Sequence, residues 1–197
     1  MSRDDVDALR RQLGLSGKTV VGLFGRLSPW KGQHVALEAL AELPDVHLLL
    51  VGDALFGETQ YEQTLRRRCD DLSLTDRVHF TGFRHDVPQL MKSVDIVVHA
   101  STAPEPFGRV IVEGMLARRP VVATRAGGVE EIVRDGETGL LVTPGDPRAL
   151  ASAIRSLLDR HDTANCMVAA ARADAERRFT VDAMVQGKTR CLEEIAH

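Results

Sequence analysis

Aromatic residues make up only 4% of the 197 residues, a poor basis for the stacked-base surfaces of nucleic-acid binders. Neither sign of charge dominates. The formal net charge is −3, which supports no broad face for a polyanion. Cysteine is sparse: Cys69, Cys166 and Cys191 stand far apart, follow no metal or redox spacing, and read as reduced thiols of a cytosolic protein. No stretch approaches a membrane span, and the first twenty residues are charged, without the apolar core of a signal peptide. That reading places the chain in the cytoplasm and leaves peripheral contact with a membrane open. Missing too are G-x-G-x-x-G and G-x-x-x-x-G-K-[ST], the main supports for a dinucleotide or P-loop site. No cluster of His, Cys, Asp and Glu has metal-ligand spacing, and no internal repeat or low-complexity segment is visible.

What is present is 44% hydrophobic and 27% charged residue, the balance of one ordinary globular domain over 1–197. Apolar runs alternate with helical stripes. Lys18–Phe24, Val46–Val51, Arg77–Phe80, Asp95–Ala100, Pro120–Ala123 and Thr138–Val142 read as strands. Helices are expected at Asp4–Leu13, from Ser28 or Pro29 to Leu43, Gln60–Leu72, Asp86–Met91 and Gly108–Ala117. A glycine turn leads into a short helix after Ala126. Asp146 begins another, and Thr163–Arg178 and Val181–Ile195 follow. Central strands apolar on both faces, alternating with helices, indicate an α/β fold: a Rossmann-like parallel sheet with helices on both faces. The turns Gly25–Gly32, Gly82–Asp86, Ser101–Gly108 and Ala126–Glu130 then lie at the carboxyl ends of the strands, where such sheets bind ligands.

Chemistry concentrates in Ser101–Glu113, S-T-A-P-E-P-F-G-R-V-I-V-E. Glu105 sits between Pro104 and Pro106, before a helix opened by Gly108 that carries Glu113 in its second turn. A helix start presents unpaired N–H groups and partial positive charge, which suit phosphates. Two carboxylates beside it suit a ligand with hydroxyls as well. Glu113 could bind neighbouring ribose hydroxyls, or simply pair with Arg109 at i,i+4 on an exposed face. Glu105 could hold sugar hydroxyls or only complement the helix dipole. Arg26 and Lys31, in the loop after the first core strand, could straddle a diphosphate or be solvated charges. His85 and His99 are candidate bases whose plainer reading is polar surface or a satisfied hydrogen-bonder. The clusters Arg66-Arg67-Arg68 and Arg177-Arg178 read as solvated helix faces.

Together these stretches resemble the donor-nucleotide half of a GT-B glycosyltransferase, specifically glycosyltransferase family 4 (group 1). The likeness runs from Val20 to Ile195 through G-R-L-S-P-W-K-G, V-G-D, F-T-G-F-R-H-D-V, E-P-F-G-R-V-I-V-E and P-V-V-A-T-R-A-G-G-V-E-E-I-V. Glu105 and Glu113 form the family's E-x7-E pair. The resemblance implies that Arg26 and Lys31 hold the diphosphate of a UDP-, GDP- or ADP-sugar. Backbone N–H groups near Arg109 and Val110 would add to that anion site. Glu113 would bind the ribose; Glu105, with Phe107 and the Gly108 backbone, would contact the transferred sugar; the Phe83–Val87 turn would border the base, chiefly through Arg84. It also implies a retaining hexosyl transfer to an unknown acceptor, with no metal, no cofactor and no nucleic acid.

Two residues depart from the family pattern. Arg119 precedes Pro120 where glycine is usual, so Arg119 is expected to take a left-handed conformation or the helix to end differently. Gly114 follows Glu113 where alanine is usual, which slightly weakens the helix. The chain supplies one of the two domains of a GT-B enzyme, and the terminal segment 180–197 resembles the helix that crosses back to an N-terminal acceptor domain. A stand-alone nucleotide-sugar binding module and a GT-B nucleotide-sugar epimerase are the competing readings.

Overall fold

The apolar runs become parallel strands: β1 Thr19–Phe24, β2 Val46–Val51, β3 Val78–Phe80, β4 Ile96–His99, β5 Val121–Thr124 and β6 Leu140–Val142. They form one six-stranded sheet in the order β3-β2-β1-β4-β5-β6, every pairing parallel. A computed structural model describes residues 2–55 and 58–195, apart from the side chains of residues 187 and 190–195. Within them the helices are α1 Arg3–Gln12, α2 Gln33–Ala41, α3 Thr59–Asp71, α4 Val87–Ser93, α5 Arg109–Leu116, α6 Val129–Ile132, α7 Pro147–Asp159, α8 His161–Arg178 and α9 Val181–Ile195. This is the doubly wound order, and its direction of winding reverses between β1 and β4.

Strand residues alternate between two cores because successive side chains leave opposite faces of a sheet. Val21, Leu23, Leu48, Leu50, Ile96, Val98 and Val122 pack under α2, α3, α7 and the first half of α8. Val20, Phe24, Leu49, Val51, Val97, Val121 and Ala123 pack under α4, α5, α6 and the second half of α8. Burial on both faces explains the unbroken hydrophobic strands, each such side chain contributing roughly 1.5–3 kcal/mol.

Three local expectations meet the structure: two need correction, and at Arg119 the second of the two expected outcomes holds, the helix ending differently. The chain after β1 does not enter one continuous helix from Ser28 or Pro29. It makes a single 3-10 turn, Pro29–Lys31, and Gly32 at φ 70° then redirects it into α2. A Cβ on Gly32 would lie 1.9 Å from the Ala100 carbonyl oxygen, so the break brings the loops after β1 and β4 into backbone contact. Second, the left-handed residue at the end of α5 is Arg118 (φ 58°), one place before Arg119. The Arg118 N–H bonds Met115 O and the Arg119 N–H bonds Gly114 O, both at 3.1 Å, closing a Schellman motif. Third, Arg177 and Arg178 are not merely a solvated face. They meet Asp174, 3% exposed, at 2.7 and 2.8 Å. Burial alone would raise that carboxyl, but Arg178, Arg177 and Arg134 outweigh it and hold it at about 2. Arg66 and Arg68 do lie on an outer helix face, paired with Glu62 and Glu38.

Gly114 has a packing reason. A Cβ there would stand 3.1–3.2 Å from Val97 and Val121, so glycine lets α5 lie close on β4 and β5. On α9, Val181, Met184 and Val185 are exposed. The side chains of Leu192 and Ile195, later on the same helix, lie outside the described residues.

Candidate donor site

The loops after β1 to β5 meet at the carboxyl ends of the strands and are tied to one another through backbone. Gly25 N–H bonds Val51 O, Leu27 N–H bonds Asp53 O, and Gly52 N–H bonds Gly82 O. Across the reversal point, Thr102 N–H bonds Trp30 O at 2.8 Å. The Glu105 carbonyl accepts from Gly128 N–H at 2.9 Å, so the glycine turn after β5 cradles the acid loop. Between these loops lies a cleft of about 550 Å³.

Arg26, Lys31, Arg84, Glu105, Phe107, Gly108, Arg109, Val110 and Glu113 all line it. The fold therefore collects on one surface the residues assigned to the donor, while His85 and His99, the candidate bases, do not line it. Gly108, at φ 77°, turns the chain into α5, whose start has no side-chain cap. Arg109 and Val110 thus bring the positive end of α5 to the cleft wall. Arg26 lies 3.8 Å from Glu58, and Arg84 makes a two-pronged pair with Asp86 at 2.7 and 2.6 Å. Asp86 raises the Arg84 guanidinium further. Glu113 pairs with Arg109 at 3.4 Å, the helix-face contact that its spacing allowed.

Glu105 is the most constrained of these groups. Lys31 Nζ donates to its two oxygens at 2.8 and 2.9 Å. His99 Nε2 lies 2.7 Å from Oε2, and Ser101 Oγ donates to the same oxygen at 3.1 Å. The His99 hydrogen bond first, and then Lys31, overcome the opposing effect of burial and pull the carboxyl from 4.5 to about 2. An acid held so low stays ionised near neutrality. It can accept hydroxyl hydrogen bonds and face positive charge, but it is a poor proton donor.

Several contributors escaped the sequence reading. Asp53, Leu55, Phe83 and Pro106 also line the cleft, and Ser28 donates to Glu58 at 2.6 Å behind Arg26. V-G-D after β2 was a legible signal for Asp53, and Phe83 belongs to the turn expected to border the base; Leu55 carried none. His99 takes the plainer of its two readings, a satisfied hydrogen-bonder, and is buried without lining the cleft. His85 is exposed and stacks edge-on with Phe83 at 4.8 Å. Among the described residues no group of three or more His, Cys, Asp and Glu side chains is placed to hold a metal ion. No described helix is long and apolar enough to cross a membrane.

Residues 5–174 match the family model for glycosyl transferases group 1. The chain belongs to this family. Its sheet is that of the C-terminal, donor-binding half of GT-B glycosyltransferases. It is 48% identical to Anabaena Alr3699/HepE, with a TM-score of 0.94 over 98% of this chain and 53% of that one. That protein has been solved in complex with UDP and glucose and in complex with UDP-glucose. The crystallised C-terminal domain of a glycosyl transferase group 1 family protein (LpcC) from Francisella tularensis is 25% identical, with a TM-score of 0.80 over 89% of this chain and 93% of that one. The lipopolysaccharide core biosynthesis glycosyltransferase LpsE of Rhizobium meliloti is 40% identical over 71% of this chain and 39% of its own length. The chain spans less than half the length of the curated relatives it matches.

Proposed function

We propose that this chain is the donor-binding half of a retaining, metal-independent hexosyltransferase, and that UDP-glucose is the first donor to test. The observation that carries the reading is the convergence of Arg26, Lys31 and the start of α5 on one cleft that also holds Glu105 and Glu113. Arg26, Lys31 and the N–H groups of the first turn of α5 receive the diphosphate, so protein cations and a helix terminus stabilise the leaving group. Glu113 accepts the ribose hydroxyls. Glu105 accepts hydroxyls of the transferred sugar and faces the positive charge that develops at its anomeric carbon. The Phe83–Val87 turn, with Arg84, borders the base. HepE, solved with UDP-glucose, supports uridine over guanine or adenine.

Calorimetric titration with UDP-glucose, a GDP-sugar and an ADP-sugar tests the reading. UDP-glucose is expected to bind most tightly. Failure of all three to bind a chain shown to be folded by circular dichroism would remove the donor site. The acceptor is expected to bind mostly on a second, N-terminal domain, toward which α9 would cross. Residues 1–197 alone should therefore bind donor and transfer little, and brisk transfer to any acceptor by this chain alone would count against that division of labour.

A further inference from the structure

His99 ends β4 between Val98 and Ala100 and is 4% exposed. A buried imidazole is costly unless its nitrogens are hydrogen-bonded. Here both are. Nδ1 lies 3.3 Å from Thr124 Oγ1, and that hydroxyl gives its one proton to the Ser101 carbonyl at 2.8 Å. The hydroxyl thereby ties the ring to the backbone of the acid loop. Nε2 lies 2.7 Å from Glu105 Oε2 and 3.1 Å from Ser101 Oγ, whose own proton points at Oε2. An ionised carboxylate oxygen only accepts, so Nε2 donates to Glu105, and the ring is fixed between Glu105 at one end and Thr124 of β5 at the other.

Lys31 holds the same carboxylate from the cleft side. In the donor-site reading, on which this inference rests, Lys31 also serves the diphosphate. Two contacts of its ammonium go to Glu105, so a phosphate entering the cleft competes for Lys31 and loosens its hold on the carboxylate. His99 cannot follow, because it sits on a core strand and does not reach the cleft.

We propose that His99 is the positioning residue of the sugar subsite: with Ser101 it keeps Glu105 Oε2 fixed while Lys31 turns to the diphosphate, leaving Oε1 aimed at a sugar hydroxyl. The division is asymmetric. Oε2 is occupied from beneath by His99 and Ser101, whereas Oε1 has only Lys31 among the described residues and is freed when Lys31 leaves. His99 touches no part of the donor and acts through Glu105.

The test is the ratio of UDP-glucose to UDP affinity, measured calorimetrically on this chain. A purely structural role for His99 would weaken both ligands alike. Positioning of Glu105 affects only the ligand with a sugar. His99→Phe is expected to lower the ratio about tenfold, the scale of one charge-assisted hydrogen bond. His99→Gln, which can return an N–H near the Nε2 position, should restore most of it. Thr124→Val, which removes the hydroxyl beside Nδ1 without touching Glu105, should lower the ratio by a smaller factor, and it carries the test if His99→Phe does not fold. Equal losses for UDP and UDP-glucose, a folded variant with an unaltered ratio, or a Gln variant no better than Phe would each overturn the proposal. Wild-type chain that binds neither ligand refutes the donor site itself, a distinct result that removes the basis of this inference as well.

Discussion

Lys31 Nζ lies 2.8 and 2.9 Å from the two carboxylate oxygens of Glu105, a contact across 74 positions of sequence. It joins the loop after β1 to the loop after β4, on either side of the point where the sheet reverses its winding. A cation and an acid in contact at the centre of an anion site form a latch. A phosphate competes with the acid for the cation, and the acid keeps its place more firmly if something else also holds it.

The same contacts make Glu105 a pH-dependent element of stability. Its carboxyl is lowered from 4.5 to about 2 in the fold, so the folded state binds fewer protons there than the unfolded chain over that interval. The contribution is complete above about 4.5 and is lost as the pH falls through about 2. Urea unfolding of wild type and Glu105→Gln at neutral pH should differ by about 2 kcal/mol, the order expected for charge-assisted hydrogen bonds in a partly buried site. The gap should narrow steadily below the unfolded value. A gap independent of pH would show that the ionised carboxylate is not the source.

Gly32 decides whether these two loops can touch. It combines φ 70° with an approach in which a Cβ would lie 1.9 Å from Ala100 O. Gly32→Ala therefore adds the left-handed cost of about 1–2 kcal/mol to an overpacking cost of about 1–3 kcal/mol. Thermal unfolding should show a loss of about 2–5 kcal/mol, and UDP-glucose affinity should fall with it, because the displaced backbone carries Lys31 away from Glu105.

Much of the sheet was legible because β1, β2, β4 and β5 are runs of residues buried on both faces. The last strand was read two residues too early. Thr138 instead accepts the Arg134 N–H at 2.9 Å and closes a turn before β6. The members of the cleft could be named from spacing and resemblance, since each stands near the end of a legible strand. Their pairings could not. Lys31 was read as a phosphate ligand and His99 as a weak candidate base; their meeting at Glu105 depends on the close packing of separate loops, which no local pattern records. The same holds at the end of α5, where the chain reaches Pro120 by placing Arg118, and not Arg119, in the left-handed region.

Arg118 offers a stabilising substitution remote from the cleft. A non-glycine residue at φ 58° costs about 1–2 kcal/mol, and glycine would return roughly 0.5–1 kcal/mol of that as unfolded-chain entropy. The Arg118 side chain is exposed. Arg118→Gly should raise stability by about 0.5–1 kcal/mol and the Tm by about 2 °C for a chain of this size. UDP-glucose affinity should not change. A lower Tm would mean that the guanidinium contributes more than the backbone conformation costs.

Glu113 separates the two readings its spacing allows. Its contact with Arg109 spans 3.4 Å between side chains 83% and 42% exposed, a geometry in which ion pairs contribute little to stability. Glu113→Ala should therefore leave urea unfolding within about 0.5 kcal/mol of wild type. As a ribose ligand, however, Glu113 supplies hydrogen bonds to a bound molecule, and its loss should weaken UDP binding by about 1–3 kcal/mol. The deficit should be the same for UDP-glucose, because both ligands carry the ribose; this sets Glu113 apart from His99, whose effect is confined to the sugar. Arg109→Ala completes the comparison, since it breaks the same helix pair while leaving the carboxylate. If the pair alone mattered, the two variants would behave alike and both effects would be small. If Glu113 holds the ribose, Arg109→Ala retains that contact, and its release of Glu113 from the pair cannot reproduce the loss seen with Glu113→Ala.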